Sequence, residues 1–385
     1  MAEKPPVIES LPLPPKDAAV VAASVSVPPS PARADSAARQ QPPSNSTLWQ
    51  AWLTPLREHP LLRPVVALAL LLLVDVIFLP GFLHLEIKDG HLYGPLIDIL
   101  NRAAPLMLAS LGMSLVIATR GIDVSIGAVV AIAATVAAVL VNAKQPLPVA
   151  YAAALGTALL CGAWNGILVA GLKLQPIIAT LILMVAGRGL AQLMADGQII
   201  TVYEPSFFVL GSGYLLGLPV SLWVVVAVAL ITTTLLKKTA LGLFIQAVGL
   251  NPVASRLAGL RTVTLIFGCY VFAAICAGAA GLMIASNIKS ADANNAGLLL
   301  ELDAILAVTL GGASLAGGKY HLAGSLVGAL IIQTLTTTIY SLGVPPEVNM
   351  VVKALVVFLL CILQSNEWRA MLRRWTRRSP PGGRA

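Results

Sequence analysis

Apolar and polar positions alternate along this chain in long blocks. Ten apolar stretches run from Pro64 to Trp368, at 64–84, 96–119, 126–142, 147–171, 174–195, 218–236, 262–286, 301–316, 322–343 and 350–368, with short polar segments between them. A hydrocarbon core about 30 Å thick takes about 20 helical residues to cross. Only helices and closed barrels satisfy their own backbone hydrogen bonds in lipid, and stretches of this length fit helices. The pattern predicts an all-α polytopic bundle of about ten transmembrane helices over residues 56–368, and an even number of crossings puts both ends on one side.

The polar segments orient it. With both termini in the cytoplasm, Arg57, Arg63, Arg120, Lys173, Lys237, Lys238, Arg256, Arg261, Lys319 and the Arg369–Arg378 cluster lie inside, against Lys88, Lys144 and Lys289 outside. Basic residues collect on the cytoplasmic side of membrane proteins, so the expected topology is N-in and C-in. Residues 1–55, with Pro-Pro pairs starting at Pro5, Pro14, Pro28 and Pro42, read as a disordered cytoplasmic tail. The tail does not read as a signal peptide, because no basic segment leads into an uninterrupted apolar core. Residues 369–385 read as a basic cytoplasmic tail. The longest outside segment, 196–217, carries Asp196, Tyr203, Glu204 and Pro205, with Gly211, Gly213 and Gly217, and is expected to be an ordered external loop.

Composition narrows the class further: 57% of residues are hydrophobic and 11% charged, with a mean hydropathy of +0.86. No soluble catalytic domain fits. The net charge of +8 follows the inside loops, so it is an orientation signal and does not indicate nucleic-acid binding. Cys161, Cys269, Cys276 and Cys361 lie in apolar runs without metal-ligand spacing, and His59, His84, His91 and His321 are scattered, so no metal site is expected.

Two short segments interrupt the apolar pattern with glycine and serine. They are Arg120-Gly121-Ile122-Asp123-Val124-Ser125-Ile126-Gly127 and Gly311-Gly312-Ala313-Ser314-Leu315-Ala316-Gly317-Gly318-Lys319. Their similarity hints at an internal repeat. Broken segments in two halves of a membrane chain are a transporter signal, and tight surface loops are the alternative. The second run is not a P-loop: Ala313 stands where glycine is required, and Tyr320 where Ser or Thr would reach magnesium. No cofactor is expected in this chain, and ATP, if it drives transport, is bound by a separate subunit.

Between two spans sits one basic segment, Lys237–Arg261. Ala247, Gly249, Asn251-Pro252, Ala254, Ala258 and Gly259 suit a short amphipathic helix with Asn251 as N-cap and Pro252 in its first turn. Here the chain resembles the membrane subunits of bacterial ABC importers for monosaccharides, in the ribose, arabinose and xylose branch. That resemblance covers about residues 60–366. Family members carry Gly-Gly-Ile-Asp-Leu-Ser-x-Gly, matched by Gly121, Ile122, Asp123, Ser125 and Gly127. They also carry Gly-Gly-x-Ser-Leu-x-Gly-Gly, matched by Gly311, Gly312, Ser314, Leu315, Gly317 and Gly318. Arg120 stands where glycine is usual, and Val124 replaces leucine. The stretches Lys88–Gly94 and Leu326–Ser365 resemble galactofuranose transporter permeases. The resemblance implies a noncatalytic pore-forming subunit in the bacterial inner membrane. It implies an ABC ATPase that grips 237–261, a periplasmic sugar-binding protein, and a second permease subunit, identical or homologous.

Candidate pathway residues follow from what lipid penalises. Asn101 and Arg102 lie near one helical face with Asp98, which is four residues from Arg102, so an ion pair and sugar contact both remain open. Trp164 with Asn165, and Arg188 with Gln192, offer a stacking surface and donors for sugar hydroxyls. Gln333 and Thr334 either line the pore or bond to helix backbone. Glu301 and Asp303 are expected to favour a helix N-terminus. Asp75 has two readings, a protonated carboxyl or one facing another subunit. An ion-coupled carrier using Asp75, Asp98 or Asp123 is the rival function, and it has no need of the 237–261 loop. A membrane-embedded enzyme lacks any clustered His, Asp or Cys constellation.

Overall fold

The computed structural model describes residues 61–364 except Asp89 and Val344. The tails expected at 1–55 and 369–385 lie outside the described residues, as does the end of the last stretch. In chain order the helices are α1 (Leu62–Phe78), α2 (Pro95–Ala118), α3 (Ile126–Asn142), α4 (Leu147–Gly166, continued by a π turn Ile167–Gly171), α5 (Pro176–Met194), the short α6 (Val209–Ser212) and α7 (Val220–Lys238). There follow α8 (Leu241–Leu250), α9 (Pro252–Leu257), α10 (Thr262–Ile288), α11 (Leu300–Leu310), α12 (Leu322–Ser341) and α13 (Pro346–Gln364). Every one of the ten apolar stretches contains a helix. Pro95, Pro176 and Pro252 each sit in a first turn, where a missing N–H costs nothing.

Six helices among the described residues are long and apolar enough to cross a membrane: α2, α4 with its π turn, α5, α7, α10 and α12. α1 and α3 have 17 residues each. The stretch expected at 301–316 is corrected: its helix, α11, has 11 residues and stops at Gly311. Gly312 takes a positive φ of 89° there, a backbone that favours glycine. At 1.5 Å per residue α11 is about 16 Å long, half a crossing.

Helix α10 runs along α2, α3 and α4, while α12 packs on α1, α2 and α11. Of the apolar window of α2, 78% is buried, against 22% for α7, so α2 is central and α7 peripheral. Small residues allow these contacts, as in other membrane bundles. A Cβ on Gly112 of α2 would lie 2.7 Å from the Ala273 Cα of α10. Asp75 does not face another subunit: it is buried within this chain, where Thr338 Oγ1 of α12 donates to it at 2.6 Å.

Three antiparallel two-stranded ribbons lie at one end: β1 (Glu86–Lys88) with β2 (His91–Tyr93), β3 (Ile200–Thr201) with β6 (Ser290–Ala291), and β4 (Tyr214–Leu215) with β5 (Leu218–Pro219). Leu92 N–H donates to Gly217 C=O at 3.0 Å and Asn142 Nδ2 to Thr201 C=O at 2.9 Å, which ties these loops together. The rings of His91, Tyr93 and Tyr214 form a three-membered cluster, with Tyr214 tilted against His91 at 4.9 Å and against Tyr93 at 5.1 Å. The opposite end gathers 118–125, 237–261 and 311–321.

Candidate functional site

That opposite end is a junction of the three segments that the sequence singles out. Gly318 N–H donates to Ala118 C=O at 2.9 Å. The Arg120 guanidinium donates to Ala316 C=O at 3.1 Å and to Leu250 C=O, the last residue of α8. Gly249 is buried against the Ala118 carbonyl, and a Cβ there would overlap that oxygen and lie 2.5 Å from Gly318 N. Glycine is thus required at 249 by close backbone approach.

Asn251 caps α9 as expected, its Oδ1 accepting from Val253 N–H at 3.1 Å and Ala254 N–H at 3.0 Å. Ala254, Ala258 and Gly259 are exposed beside it, and Ala247 is half-buried. Leu243, Val253 and Leu257 are 68%, 67% and 86% exposed, which gives the α8–α9 tip an apolar surface that none of the described residues covers.

Below the junction the chain is unwound between α2 and α3. Asp123 is buried, and its Oδ1 accepts from Ser125 N–H at 2.9 Å and Ser125 Oγ at 2.6 Å. Buried Asn165 of α4 donates to Ser125 Oγ at 2.8 Å and reaches Asp123 at 3.4 Å. Val124 N–H finds Thr180 Oγ1 of α5 at 3.2 Å. Backbone off the helix inside a membrane bundle is tolerated where protein satisfies it, and the side chains of Asp123 and Thr180 do so here, with Ser125 and Asn165 holding the Asp123 carboxyl in place. The donors of Asn165 are therefore turned to this segment, and Trp164 beside it is 52% exposed on the outer face of α4.

A second break precedes α11. Arg188 of α5 donates to Ala296 C=O at 2.6 Å and Ala293 C=O at 3.2 Å, and Gln192 Nε2 donates to Asn294 Oδ1 at 2.8 Å. Asp292 Oδ1 turns this segment by accepting from Asn294 N–H at 2.9 Å. Where it meets α3, Gly127 leaves room for the Gly297 carbonyl and the buried Glu301 carboxylate, with Arg188 beside them. Arg188 and Gln192 thus hold backbone and side chain of this break. Glu301 turns to α3 and Arg188, and Asp303 pairs with Lys353 of α13 at 2.6 Å.

At the ribbon end, α2, α7, α10 and α12 enclose a cavity of about 210 Å³ whose polar lining is Asn101, Arg102, Ser221, Asn287 and Gln333. This is smaller than the roughly 300 Å³ at which drug-sized ligand sites begin, so it suits a small polar solute. Asn101 Nδ2 donates to Gly211 C=O at 3.0 Å, as does Asn287 Nδ2 at 3.2 Å, and Ser221 Oγ donates to Asn101 Oδ1. Arg102 Nε pairs with Asp98 at 2.8 Å, both side chains exposed. Three expected pathway residues, Asn101, Arg102 and Gln333, thus share one cavity. Thr334 is buried beside them on α12 without lining it. Ser221 and Asn287 were not anticipated; Asn287, a polar residue in the last turn of an apolar helix, was the available signal.

Membrane helices interrupted by satisfied backbone, a packed junction and a projecting helical loop define a multi-pass permease. Residues 96–361 match the family described as the permease component of branched-chain amino acid transport systems, and the chain belongs to that family. It is the permease component of a bacterial ABC importer, a subunit not itself catalytic, and such permeases work with an ATPase and a binding protein. The chain is 52% identical over 309 residues to the galactofuranose transporter permease protein YtfT of Escherichia coli K12, covering 80% of this chain and 91% of that one. It is 38% identical to the fructose import permease protein FruF of Bifidobacterium longum, over 78% and 86% of the two chains. Against the ribose import permease protein RbsC of Escherichia coli K12 the identity is 36%, over 79% and 93%. No solved structure matches the chain.

Proposed function

We propose that this chain forms the pore of an ATP-driven monosaccharide importer, with galactofuranose as its cargo, and works by alternating access. The 52% identity to a galactofuranose permease, spanning 91% of that chain, is the observation that carries the cargo. The cavity of Asn101, Arg102, Ser221, Asn287 and Gln333 is its weak sugar site, facing the periplasm. A loaded periplasmic binding protein delivers sugar to the ribbon end.

The bundle crosses the membrane ten times, with both termini cytoplasmic. Basic residues Arg120, Lys237, Lys238, Arg256, Arg261 and Lys319 cluster at the junction end, which supports that end as the cytoplasmic one. The segment before α11 and α11 together make one discontinuous crossing, the kind of span that transporters place beside their sites. The exposed tip of α8–α9 docks on the ATPase, and a second permease subunit completes the pathway.

Uptake of labelled galactofuranose into proteoliposomes holding this chain, its ATPase and its binding protein tests this. Uptake that needs all three components and ATP, and is lost on deleting 251–259 from a chain that still inserts, is the expected result. Uptake by this chain alone under an ion gradient overturns it in favour of a secondary carrier.

A further inference from the structure

We propose that Arg120 is the positioning residue that carries movement of the α8–α9 loop into the membrane-embedded glycine loop at 311–318. The inference rests on the reading of α8–α9 as the ATPase-docking element. Arg120 lies at the end of α2, and its guanidinium bonds two carbonyls at once: Leu250, where α8 ends, and Ala316, inside the glycine loop. Its stem packs on Gly317, where a Cβ would run into Arg120 Cγ. A planar guanidinium presents several donors in a fixed fork, so the distance between its two acceptors is held. A displacement of Leu250 is therefore passed to Ala316 through one rigid group.

The conformation at this position is costly for arginine. Arg120 has φ 66°, the left-handed region that glycine enters freely. Nothing in the turn itself requires a side chain: Gly121 follows, and Gly318 N–H already closes the backbone contact to Ala118. Parallel contacts hold α8 to the same loop through Gly249, which lies against Gly318 N, and through Leu250, whose side chain packs on Gly318. Those contacts also meet the end of α2, at the Ala118 carbonyl, but Arg120 is the side chain that bonds both parts directly. Loss of Arg120 is thus expected to leave the junction assembled but its motions unlinked.

The test compares wild type with Arg120→Met, Arg120→Gly and Arg120→Lys in the full transporter, reconstituted with its ATPase and binding protein. Sugar transported per ATP hydrolysed is read with labelled galactofuranose, alongside complex assembly and thermal midpoint. Methionine keeps the stem on Gly317 without the donors, and glycine removes the backbone strain, so at least one of them folds. The expected result is intact assembly and hydrolysis with sugar per ATP lowered about fivefold or more, the lower end of coupling between sites. Lysine, with one compact ammonium, recovers only part of the ratio. An unchanged ratio in Arg120→Met or Arg120→Gly overturns the proposal while ATP-driven uptake by wild type stands. A ratio that falls only in step with assembly makes Arg120 a local staple and also overturns it. Absence of ATP-driven uptake by wild type removes the docking reading, and this proposal with it.

Discussion

Both ends of the bundle have backbone contacts, but the junction end adds one reaching side chain, Arg120, where the ribbon end adds several. At the junction end backbone meets backbone, Gly318 N–H on Ala118 C=O, with Gly249 pressed against the same carbonyl. At the ribbon end side chains reach across gaps to carbonyls: Asn142 to Thr201, Asn101 and Asn287 to Gly211, and Arg188 to Ala293 and Ala296. The first arrangement has no room for an added atom. The second leaves space between its partners, and the cavity lies there. Space is not confined to that end, because near the junction Leu61, Lys237, Gln246, Tyr320 and His321 line a cavity of about 360 Å³; the ends differ in how they are joined, not in which one is open.

If ribbon-end order depends on polar side chains, its most heavily used donor should be the costliest to lose. Arg188→Met removes the donors to the segment before α11 and leaves the buried Glu301 carboxylate without its neighbouring cation. Leaving buried carbonyls unpaired costs about 1–3 kcal/mol each, so the variant is expected to lose thermal stability and to fail in uptake. Thermal unfolding of the purified permease in detergent checks this, and an Arg188→Met protein as stable as wild type would break the comparison.

Gly249→Val attacks the other end by adding atoms. Its Cβ falls on the Ala118 carbonyl, and overpacking costs about 1–3 kcal/mol where neighbours can shift. Backbone cannot shift as side chains do, so ATP-driven uptake is expected to disappear even where the chain still inserts. Equal uptake by Gly249→Val and wild type would show that the junction is loose.

Much of this was legible in the sequence, and the failures are instructive. Lipid demands apolar helices, so every stretch was found, and Asn251-Pro252 announced the cap of α9 by side-chain chemistry alone. The end of α11 was missed because Ala313, Leu315 and Ala316 prolong the apolar count past Gly311-Gly312, which was itself a readable stop. The partners of Arg188 were not readable, because its acceptors are carbonyls about a hundred residues away and carbonyls carry no sequence identity. Asp292 to Asn295 does read as a turn, but only the fold brings it to Arg188. Asp75 was equally opaque, since Thr338 lies at |i−j| = 263.

Within the ribbon end, truncation should separate binding from folding. Asn101→Ala removes one donor and one acceptor from the cavity wall, worth about 0.5–1.5 kcal/mol as a neutral hydrogen bond. The expected outcome is a severalfold rise in the sugar concentration giving half-maximal uptake, with thermal stability lowered only slightly. A large stability loss with unchanged half-maximal concentration would assign Asn101 to the loop of Gly211 and not to the cargo.

The smallest effect is the most discriminating for the cavity. Asp98 and Arg102 are both exposed, and an i,i+4 pair on a helix surface contributes about 0.3–0.5 kcal/mol. Asp98→Asn should therefore leave thermal unfolding nearly unchanged. It also frees the Arg102 guanidinium, which lines the cavity, from its carboxylate partner. If the cavity holds sugar hydroxyls, the freed donor alters half-maximal uptake, in either direction, without a change in stability. If neither quantity moves, Arg102 stands at the rim of the cavity and outside the sugar's reach, and the polar lining reduces to Asn101, Ser221, Asn287 and Gln333.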